Sequence, residues 1–210
     1  MTNYYVGPGG NNGNDGTTWA LRRLTLNSAE DLLSAGDTLY IGPGTYRETW
    51  TIDTSGAAGS VIAAIGDVTG ANTDGVGGVV RITGSDNDQT NARASCITAT
   101  TKSYRSFAGI LVDMGGNGGI IMLDTSCTNI TFSECVIGGV VAAADGQVYV
   151  RGASQANITF DGCLFNGCGS NSLIFTHSAD VDNTGHVVQN CLFLGPATSS
   201  TTAAISIANV

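Results

Sequence analysis

The sequence is short of charged residues, and of lysine above all. Charged residues make up 12% of its 210 residues, and Lys102 is the single lysine. Lysine and glutamate fill the exposed faces of most helices, so their scarcity disfavours an all-α bundle or a coiled coil. The 30 glycines follow no three-residue period, which excludes collagen, and no apolar run reaches the length of a membrane span.

Positive charge is also scarce, and the basic residues do not cluster. The 8 basic residues stand against 17 acidic ones, which leaves a net charge of −9 spread over both halves of the chain. Without a basic stripe, neither nucleic acid nor an anionic membrane is an expected partner. Residues 1–6 lack the basic and apolar regions of a secretory signal, so we expect a chain made without export. The length and the 42% of hydrophobic residues indicate one domain with a sizeable core.

The second half of the chain contains an internal repeat. Cys135, Cys163 and Cys191 follow one another at intervals of 28 residues, each with Phe or Val three positions earlier and two apolar residues after it. An earlier copy places Ile110 in the same slot. Apolar residues alternate within each copy, which is the period of a β-strand. Each unit also holds a second β-rich segment, at residues 120–123, 148–150, 173–175 and 205–207.

A unit of 25 to 28 residues with short strands and no helix cannot bury its apolar face alone. It must stack on its neighbours. The predicted fold is therefore all-β, a right-handed parallel β-helix in which equivalent residues of successive coils lie above one another at roughly 4.8 Å. The competing solenoid, the leucine-rich repeat, needs Leu and Asn at fixed offsets in shorter units, and this sequence lacks that pattern.

The cysteines are predicted to be structural. In a stacked solenoid Cys135, Cys163 and Cys191 form an interior column, close enough for a disulfide to be conceivable. The presence of Ile110 in the same slot favours their interpretation as small buried apolar residues. No CxxC motif occurs, so no metal site is predicted. The remaining cysteines, which follow no metal-ligand spacing, are Cys96, Cys127 and Cys168.

The chain begins with a predicted cap. After a strand and a Gly/Asn-rich loop, residues 27–30 resemble a capping box ahead of a short helix at 31–35 that Gly36 ends. Such a helix would cover the apolar residues of the first coil, as the ends of repeat proteins require. We therefore assign residues 1–37 to an N-terminal cap and 38–210 to the coils. The first predicted strands of the coils are 37–41 and 46–52, around a turn at 42–44.

Several N-terminal motifs together resemble a known superfamily. They are Tyr4-Tyr5-Val6, a loop ending in Thr18-Trp19-Ala20, the runs 35–41 and 44–48, and the strand-like run 59–67. This arrangement resembles the N-terminal cap of right-handed parallel β-helix proteins of the pectate-lyase-like superfamily. The resemblance implies the fold and leaves the activity open, because that scaffold carries lyases, hydrolases, epimerases and non-enzymatic virus spikes.

A pectate-lyase-like activity would need carboxylates for Ca²⁺ and a basic residue to abstract a proton. The weak candidates for the carboxylates are two pairs, Asp86 with Asp88 and Asp180 with Asp182. Both pairs lie in turn-like sequence, where Asp and Asn are expected for structural reasons. We therefore predict no catalytic residue and no cofactor, with Ca²⁺ needed only under a lyase function. An arginine base would need a strongly displaced pKa, which arginine resists; the arginines considered are Arg81, Arg93, Arg105 and Arg151.

Other catalytic signatures are missing or have structural explanations. Of the four polygalacturonase motifs, the sequence contains Asn-Thr-Asp alone, at residues 72–74, and it lacks Asp-Asp, Gly-His-Gly and Arg-Ile-Lys. It also has no Gly-x-Ser-x-Gly elbow. His177 and His186 are interpreted as surface or turn residues. Two glycosylation sequons, at 129–131 and 157–159, lie inside predicted strands, so we interpret them as products of the repeat.

The C-terminal part of the sequence suggests an uncovered edge. Residues 184–210 contain no charged side chain, and 203–210 form a predicted strand that nothing blunts. We expect a continuing chain, an oligomer (a trimer above all) or a larger assembly to cover it.

This expectation favours a bacteriophage virion protein over an enzyme. Such a protein would be a capsid-decorating or tail-spike-like β-helix located in the virion, bound to other virion proteins and capable of binding a glycan. The first alternative is an extracellular polysaccharide lyase or glycoside hydrolase that acts on an acidic polysaccharide. The second alternative is a bacterial surface adhesin-type β-helix.

Overall fold

A computed structural model shows a parallel β-helix built from short strands. It describes residues 1–89, 93–115, 119–139, 147–166, 171–177, 184–194 and 203–209. In chain order the strands are β1 (Asn3–Val6), β2 (Thr38–Ile41), β3 (Gly44–Tyr46), β4 (Trp50–Ile52), β5 (Ile62–Gly66), β6 (Val80–Thr83), β7 (Ile97–Thr100), β8 (Ser103–Ala108), β9 (Leu111–Asp113), β10 (Ile121–Asp124), β11 (Thr128–Ser133), β12 (Val136–Gly138), β13 (Val148–Arg151), β14 (Ala156–Asp161), β15 (Leu164–Asn166), β16 (Asn171–His177), β17 (Val187–Gln189), β18 (Leu192–Leu194) and β19 (Ala203–Asn209).

Three parallel sheets run along the solenoid axis. Sheet A consists of β1, β2, β5, β8, β11, β14 and β17; sheet B of β3, β6, β9, β12, β15 and β18; and sheet C of β4, β7, β10, β13, β16 and β19. From β2 onward, each coil contributes one strand to each sheet in turn. The predicted all-β parallel β-helix is confirmed. Among the described residues, no helix is long and apolar enough to cross a membrane.

The predicted repeat coincides with the stacking of coils. In sheet A, Phe132 pairs in register with Phe107 below it and Phe160 above it. The centroids of these rings lie 4.8 and 5.2 Å apart, and the rings are almost parallel. Identical apolar side chains thus lie above one another in the core, where burial of each ring stabilises the fold. The second β-rich segments of the repeat form sheet C, where Val148 pairs with Ile121.

The cysteine column lies inside the solenoid as predicted. Cys135 and Cys163 are buried, whereas Cys191, on the last coil, is half-buried. The Sγ atoms of Cys163 and Cys191 each donate over 3.5 Å to the carbonyl of the Phe one coil below, Phe132 and Phe160 respectively. The described cysteines are all free thiols, which agrees with their interpretation as small buried residues; Cys168 lies outside the described residues.

The capping helix begins earlier than predicted. Helix α1 spans Leu26–Glu30 instead of 31–35, and Thr25 is its N-cap, with its hydroxyl accepting from Ser28 N over 3.3 Å. The carboxylate of Glu48, from the first coil, accepts from the backbone N–H groups of Leu26 and Asn27 at 3.0 and 3.3 Å. Two caps on the first turn therefore fix the start of the helix, and the second comes from a residue distant in sequence.

The predicted strand at 46–52 is two strands with a corner between them. Strand β3 ends at Tyr46 and β4 begins at Trp50. At the corner, Glu48 turns toward α1, and the hydroxyl of Thr49 donates to Ser95 O over 2.7 Å. Contacts made by the corner residues therefore interrupt a run whose composition alone favours a continuous strand.

The last coil leaves apolar side chains in contact with solvent. Leu192 is 57% exposed, Leu194 44% and Ile205 39%. Phe193, the inward residue between the two leucines, is half-buried, whereas its register partner Phe165 on the coil below is fully buried. The apolar residues of the last coil are therefore less buried than those of the coil below it.

Candidate functional site

The first predicted acidic pair forms ion pairs on the surface. The Asp88 carboxylate accepts from Arg47 Nη2 at 2.7 Å and from Arg81 Nη1 at 2.5 Å. Asp86 Oδ1 accepts from Arg93 Nη1 at 2.7 Å. Arg47, Arg81 and Arg93, the last two of which were considered as bases, therefore hold these carboxylates.

The same contacts make the pair unsuitable for acid catalysis or for calcium. Hydrogen bonds from Arg47 and Arg81 lower the pKa of Asp88 to about 2, so this carboxylate is ionised and its charge is compensated. Calcium requires several oxygen ligands that are not already committed to cations. In the described part of the chain no group of three or more His, Cys, Asp or Glu could hold a metal ion. Asp180 and Asp182 lie outside the described residues.

The remaining basic candidates are engaged elsewhere. Arg105 is fully buried and pairs with Glu30 inside the solenoid, at 2.6 and 2.9 Å. Arg151 forms an exposed ion pair with Asp124 at 3.3 Å. His186 was predicted to be a surface or turn residue, but it is half-buried, and its Nδ1 accepts from Ile158 N over 3.3 Å. It lies one residue before β17, beside the buried Ile158. Nothing is described of the His177 side chain, although its backbone ends β16.

A groove lies on the outer face of sheet A. It has a volume of about 680 Å³ and runs across neighbouring coils. Its floor is made by outward residues of β8, β11 and β14, since Ser106, Thr131 and Thr159 are register neighbours that alternate with buried phenylalanines. The residues that line it are Ala58, Gly59, Val61, Tyr104, Arg105, Ser106, Asn129, Thr131, Asn157 and Thr159.

One wall of the groove is a column of left-handed residues. Tyr104, Asn129 and Asn157 occupy equivalent positions near the starts of their strands, with φ values of 54°, 55° and 54°, and Gly185 follows with φ 72°. Asparagine and glycine tolerate this conformation, whereas a bulky residue there is an outlier. Tyr104 thus fills a slot that the other coils give to Asn or Gly. Backbone strain of this kind concentrates at functional sites.

The asparagines of this wall form a ladder. Asn157 Nδ2 donates to Asn129 Oδ1 over 3.0 Å, one coil below. A side chain at Gly185 would disturb this ladder, because a Cβ there would lie 2.2 Å from Asn157 Oδ1. Beside the ladder run the hydroxyls of Thr131 and Thr159. The groove therefore presents amide and hydroxyl groups, which both donate and accept hydrogen bonds.

Among the described residues, none that lines the groove has an exposed charged side chain. Among its lining residues, Arg105 is the one with a formal charge, and its guanidinium points inward to Glu30 and to Thr54 O, 2.9 Å away. Its side chain is 0% exposed. Tyr104 contributes a half-buried ring and a phenol. The site is thus suited to an uncharged, hydroxyl-rich ligand with a face that can lie against an aromatic ring.

Sequence reasoning missed this groove, although its residues were in view. Asn129 with Thr131 and Asn157 with Thr159 form the two sequons that were attributed to the repeat. The informative signal is the alignment of one coil further back, which places Tyr104 in the slot of the two asparagines. That alignment was available from Phe107 and Phe132, which match in the repeat.

Solved structures with the same fold include several carbohydrate-active proteins. A rhamnogalacturonan lyase matches with a TM-score of 0.63 at 15% identity over 100% of this chain and 62% of its own. An alginate lyase from Paenibacillus sp. str. FPU-7 matches with a TM-score of 0.57 at 14% identity, over 97% of this chain and 74% of its own. A lacto-N-biosidase from Eubacterium ramulus matches with a TM-score of 0.50 at 11% identity, over 83% and 43%.

This chain spans less than two thirds of the rhamnogalacturonan lyase. Because all three identities are low, the similarity shows the fold alone. No protein-family model and no curated protein matches the sequence. What is established is therefore the architecture: the chain is a parallel β-helix like those of the two polysaccharide lyases.

Proposed function

We propose that this protein binds a polysaccharide chain in the groove on the outer face of sheet A. The observation that carries the proposal is Tyr104, held in a left-handed conformation at the wall of a groove lined by amides and hydroxyls. An Asn or Gly in that slot would fold with less strain, so the aromatic ring is explained best by a role at the surface.

The periodicity of the fold suits a ligand that is itself periodic. Equivalent hydrogen-bonding groups recur once per coil, about every 4.8 Å along the axis. A sugar chain lying across the coils could therefore meet Asn129 and Thr131 on one coil and Asn157 with Thr159 on the next. The volume of about 680 Å³ lies within the range of small-ligand sites and accommodates a short oligosaccharide segment.

The similar structures support a carbohydrate ligand more than a virion role. Two are named as lyases of rhamnogalacturonan and alginate, and a third as a lacto-N-biosidase. They lend no support to the bacteriophage assignment. The virion location, the adhesin alternative and the trimer stay predictions, and the mass in solution by light scattering tests the trimer.

Cleavage of the bound chain is a second candidate function. Tyr104 is one of the residues that line the groove, and its phenol is a type of group that can act as a general acid or base. A hydrolase would need a pair of carboxylates flanking the scissile bond, and the described residues that line the groove include no carboxylate. Binding is therefore the main proposal, and release of unsaturated or reducing-end products would identify cleavage.

The test of binding is a polysaccharide panel with matched variants. Affinity electrophoresis followed by calorimetry identifies the ligand, and the double variant Thr131→Ala/Thr159→Ala then removes two stacked hydroxyls from the groove. The control, Thr51→Ala/Thr98→Ala, removes two stacked outward hydroxyls from sheet C.

We expect the groove variant to bind more weakly by on the order of tenfold, since each lost hydrogen bond costs roughly 0.5–1.5 kcal/mol. The control should bind as the wild type does. No binding to any polysaccharide, or equal losses in both variants, would overturn the proposal.

A further inference from the structure

We propose that the groove selects uncharged polysaccharides over uronate-rich ones. This inference rests on the proposed function and specifies its ligand class. It departs from the acidic substrate expected under the lyase alternative. Its basis is the distribution of charge around the groove.

Apart from Arg105, no basic residue is among the described residues that line the groove. The guanidinium of Arg105 is buried and bound to Glu30 on the inner side of sheet A. Lys102 lies two residues before Tyr104, but its Nζ donates to Asp53 O over 2.8 Å. Recognition of a uronate normally uses a charged, bidentate partner such as arginine, and the described lining offers none.

At the ends of β11 and β14, beside the groove, the charge is negative. Asp161 lies two residues after Thr159 on β14, so its side chain projects from the same outer face. Hydrogen bonds from Asn190 and Gln189, at 2.8 and 2.9 Å, hold the pKa of Asp161 below its ordinary value and keep the carboxylate ionised. Glu134, on the neighbouring coil, is exposed. Both residues add to a net charge of −9.

The lack of a cation in the lining and the acidic residues beside it both disfavour a charged ligand. A uronate carboxylate in the groove would lose water without gaining a cation, and the flanking acidic groups would repel it. The hydroxyls of an uncharged sugar lose water too, but the amides of Asn129 and Asn157 and the hydroxyls of Thr131 and Thr159 replace those hydrogen bonds. The groove therefore favours the uncharged member of any pair of chains that share one backbone.

The experiment uses such pairs, together with the polysaccharide identified by the panel. Fully methyl-esterified homogalacturonan is compared with its de-esterified form, and carboxyl-reduced alginate with native alginate, at low and high salt. We expect the uncharged member of a binding pair to bind more tightly by on the order of tenfold at low salt, with a smaller ratio at high salt. Tighter binding of the acidic member overturns this inference alone. Absence of binding by every polysaccharide overturns the proposed function, and this inference with it.

A gain-of-function variant gives an independent readout. Thr131→Lys places a cation in the groove, and Thr98→Lys places the same charge on the outer face of sheet C. We expect Thr131→Lys to raise the affinity for the acidic member relative to the uncharged one by on the order of tenfold, and Thr98→Lys to leave that ratio unchanged. Equal effects of the two variants would show that overall charge, and not the groove, sets the preference.

Discussion

Arg105 and Glu30, 75 residues apart in the sequence, form a bidentate ion pair in the interior of the solenoid. The two hydrogen bonds are 2.6 and 2.9 Å long, and the side chains are 0% and 1% exposed. In sheet A, Arg105 occupies an inward position whose register neighbours are Ile62 and Ile130. The pair joins helix α1 to the coil of β8, and Glu30 also accepts from Trp50 Nε1 at 3.2 Å.

Removal of one partner should therefore destabilise the fold strongly. We expect Glu30→Ala to lower the free energy of unfolding by roughly 3–5 kcal/mol, because it leaves a buried guanidinium without its counterion. The exposed pair of Arg151 and Asp124 is the control, and Asp124→Ala should cost about 0–1 kcal/mol. Denaturant unfolding monitored by circular dichroism measures both. Equal losses would contradict the structural role of the buried pair.

The stacked phenylalanines give a second prediction on stability. Phe160 is 0% exposed and contacts the rings of Phe132 and Phe165. We expect Phe160→Ala to cost roughly 3–5 kcal/mol, since the removed ring leaves a cavity between coils. Thr159→Ala, at the adjacent outward position, should change the free energy of unfolding little. A loss near zero for Phe160→Ala would mean that the inward face of sheet A is wrongly assigned.

The coil repeat was predictable because in-register stacking places like side chains above one another. The matching of Phe107, Phe132 and Phe160 in the sequence is the matching of their rings in space. The start of α1 was not predictable, because the carboxylate that caps it belongs to Glu48, a residue of the first coil that is distant in sequence. The sequence also could not show that the side chain of Arg105 points into the solenoid, because its partner Glu30 lies in α1, 75 residues away.

The groove was harder to predict than the core. Its polar residues lie on an outward face, where no apolar periodicity marks them, and Asn129 and Asn157 suit both a turn and a sequon. Only the register of β8 against β11 shows that Tyr104 occupies the same position as Asn129 in the wall of the groove. The virion prediction rests on an edge strand that the sequence leaves uncovered, and such an edge carries no information about a ligand.

Because of the ion pairs of Asp88, we expect the free energy of unfolding to depend on pH in the acidic range. The pKa of Asp88 is lowered to about 2 in the folded protein, from an ordinary value near 3.8. Its contribution to stability is therefore present above about pH 4 and is lost as the pH falls through about 2. We expect Asp88→Asn to be less stable than the wild type near pH 6, with a difference that shrinks toward about pH 2. Urea unfolding across this range measures the difference, and a difference independent of pH would refute the assignment.

Thiol reactivity should follow burial along the chain. Burial raises the pKa of Cys96 to about 12, and this side chain is 0% exposed. Cys191 is half-buried on the last coil. We expect iodoacetamide at about pH 8 to alkylate Cys191 well before Cys96 in the native protein, and both at similar rates in urea. Peptide mass spectrometry over time provides the measurement. Equal native rates would contradict the buried position of Cys96.

The most direct test of the carbohydrate-binding groove is Tyr104→Asn, measured for both stability and binding. Asn fills the same left-handed slot on the next two coils, so the free energy of unfolding of the variant should exceed that of the wild type by on the order of 1 kcal/mol. With the ring gone, it should bind the identified polysaccharide more weakly by about tenfold or more. The control Tyr149→Asn removes an outward ring from sheet C and should bind as the wild type does. A gain in stability together with a loss of binding is the predicted result. Unchanged binding by Tyr104→Asn would contradict the account.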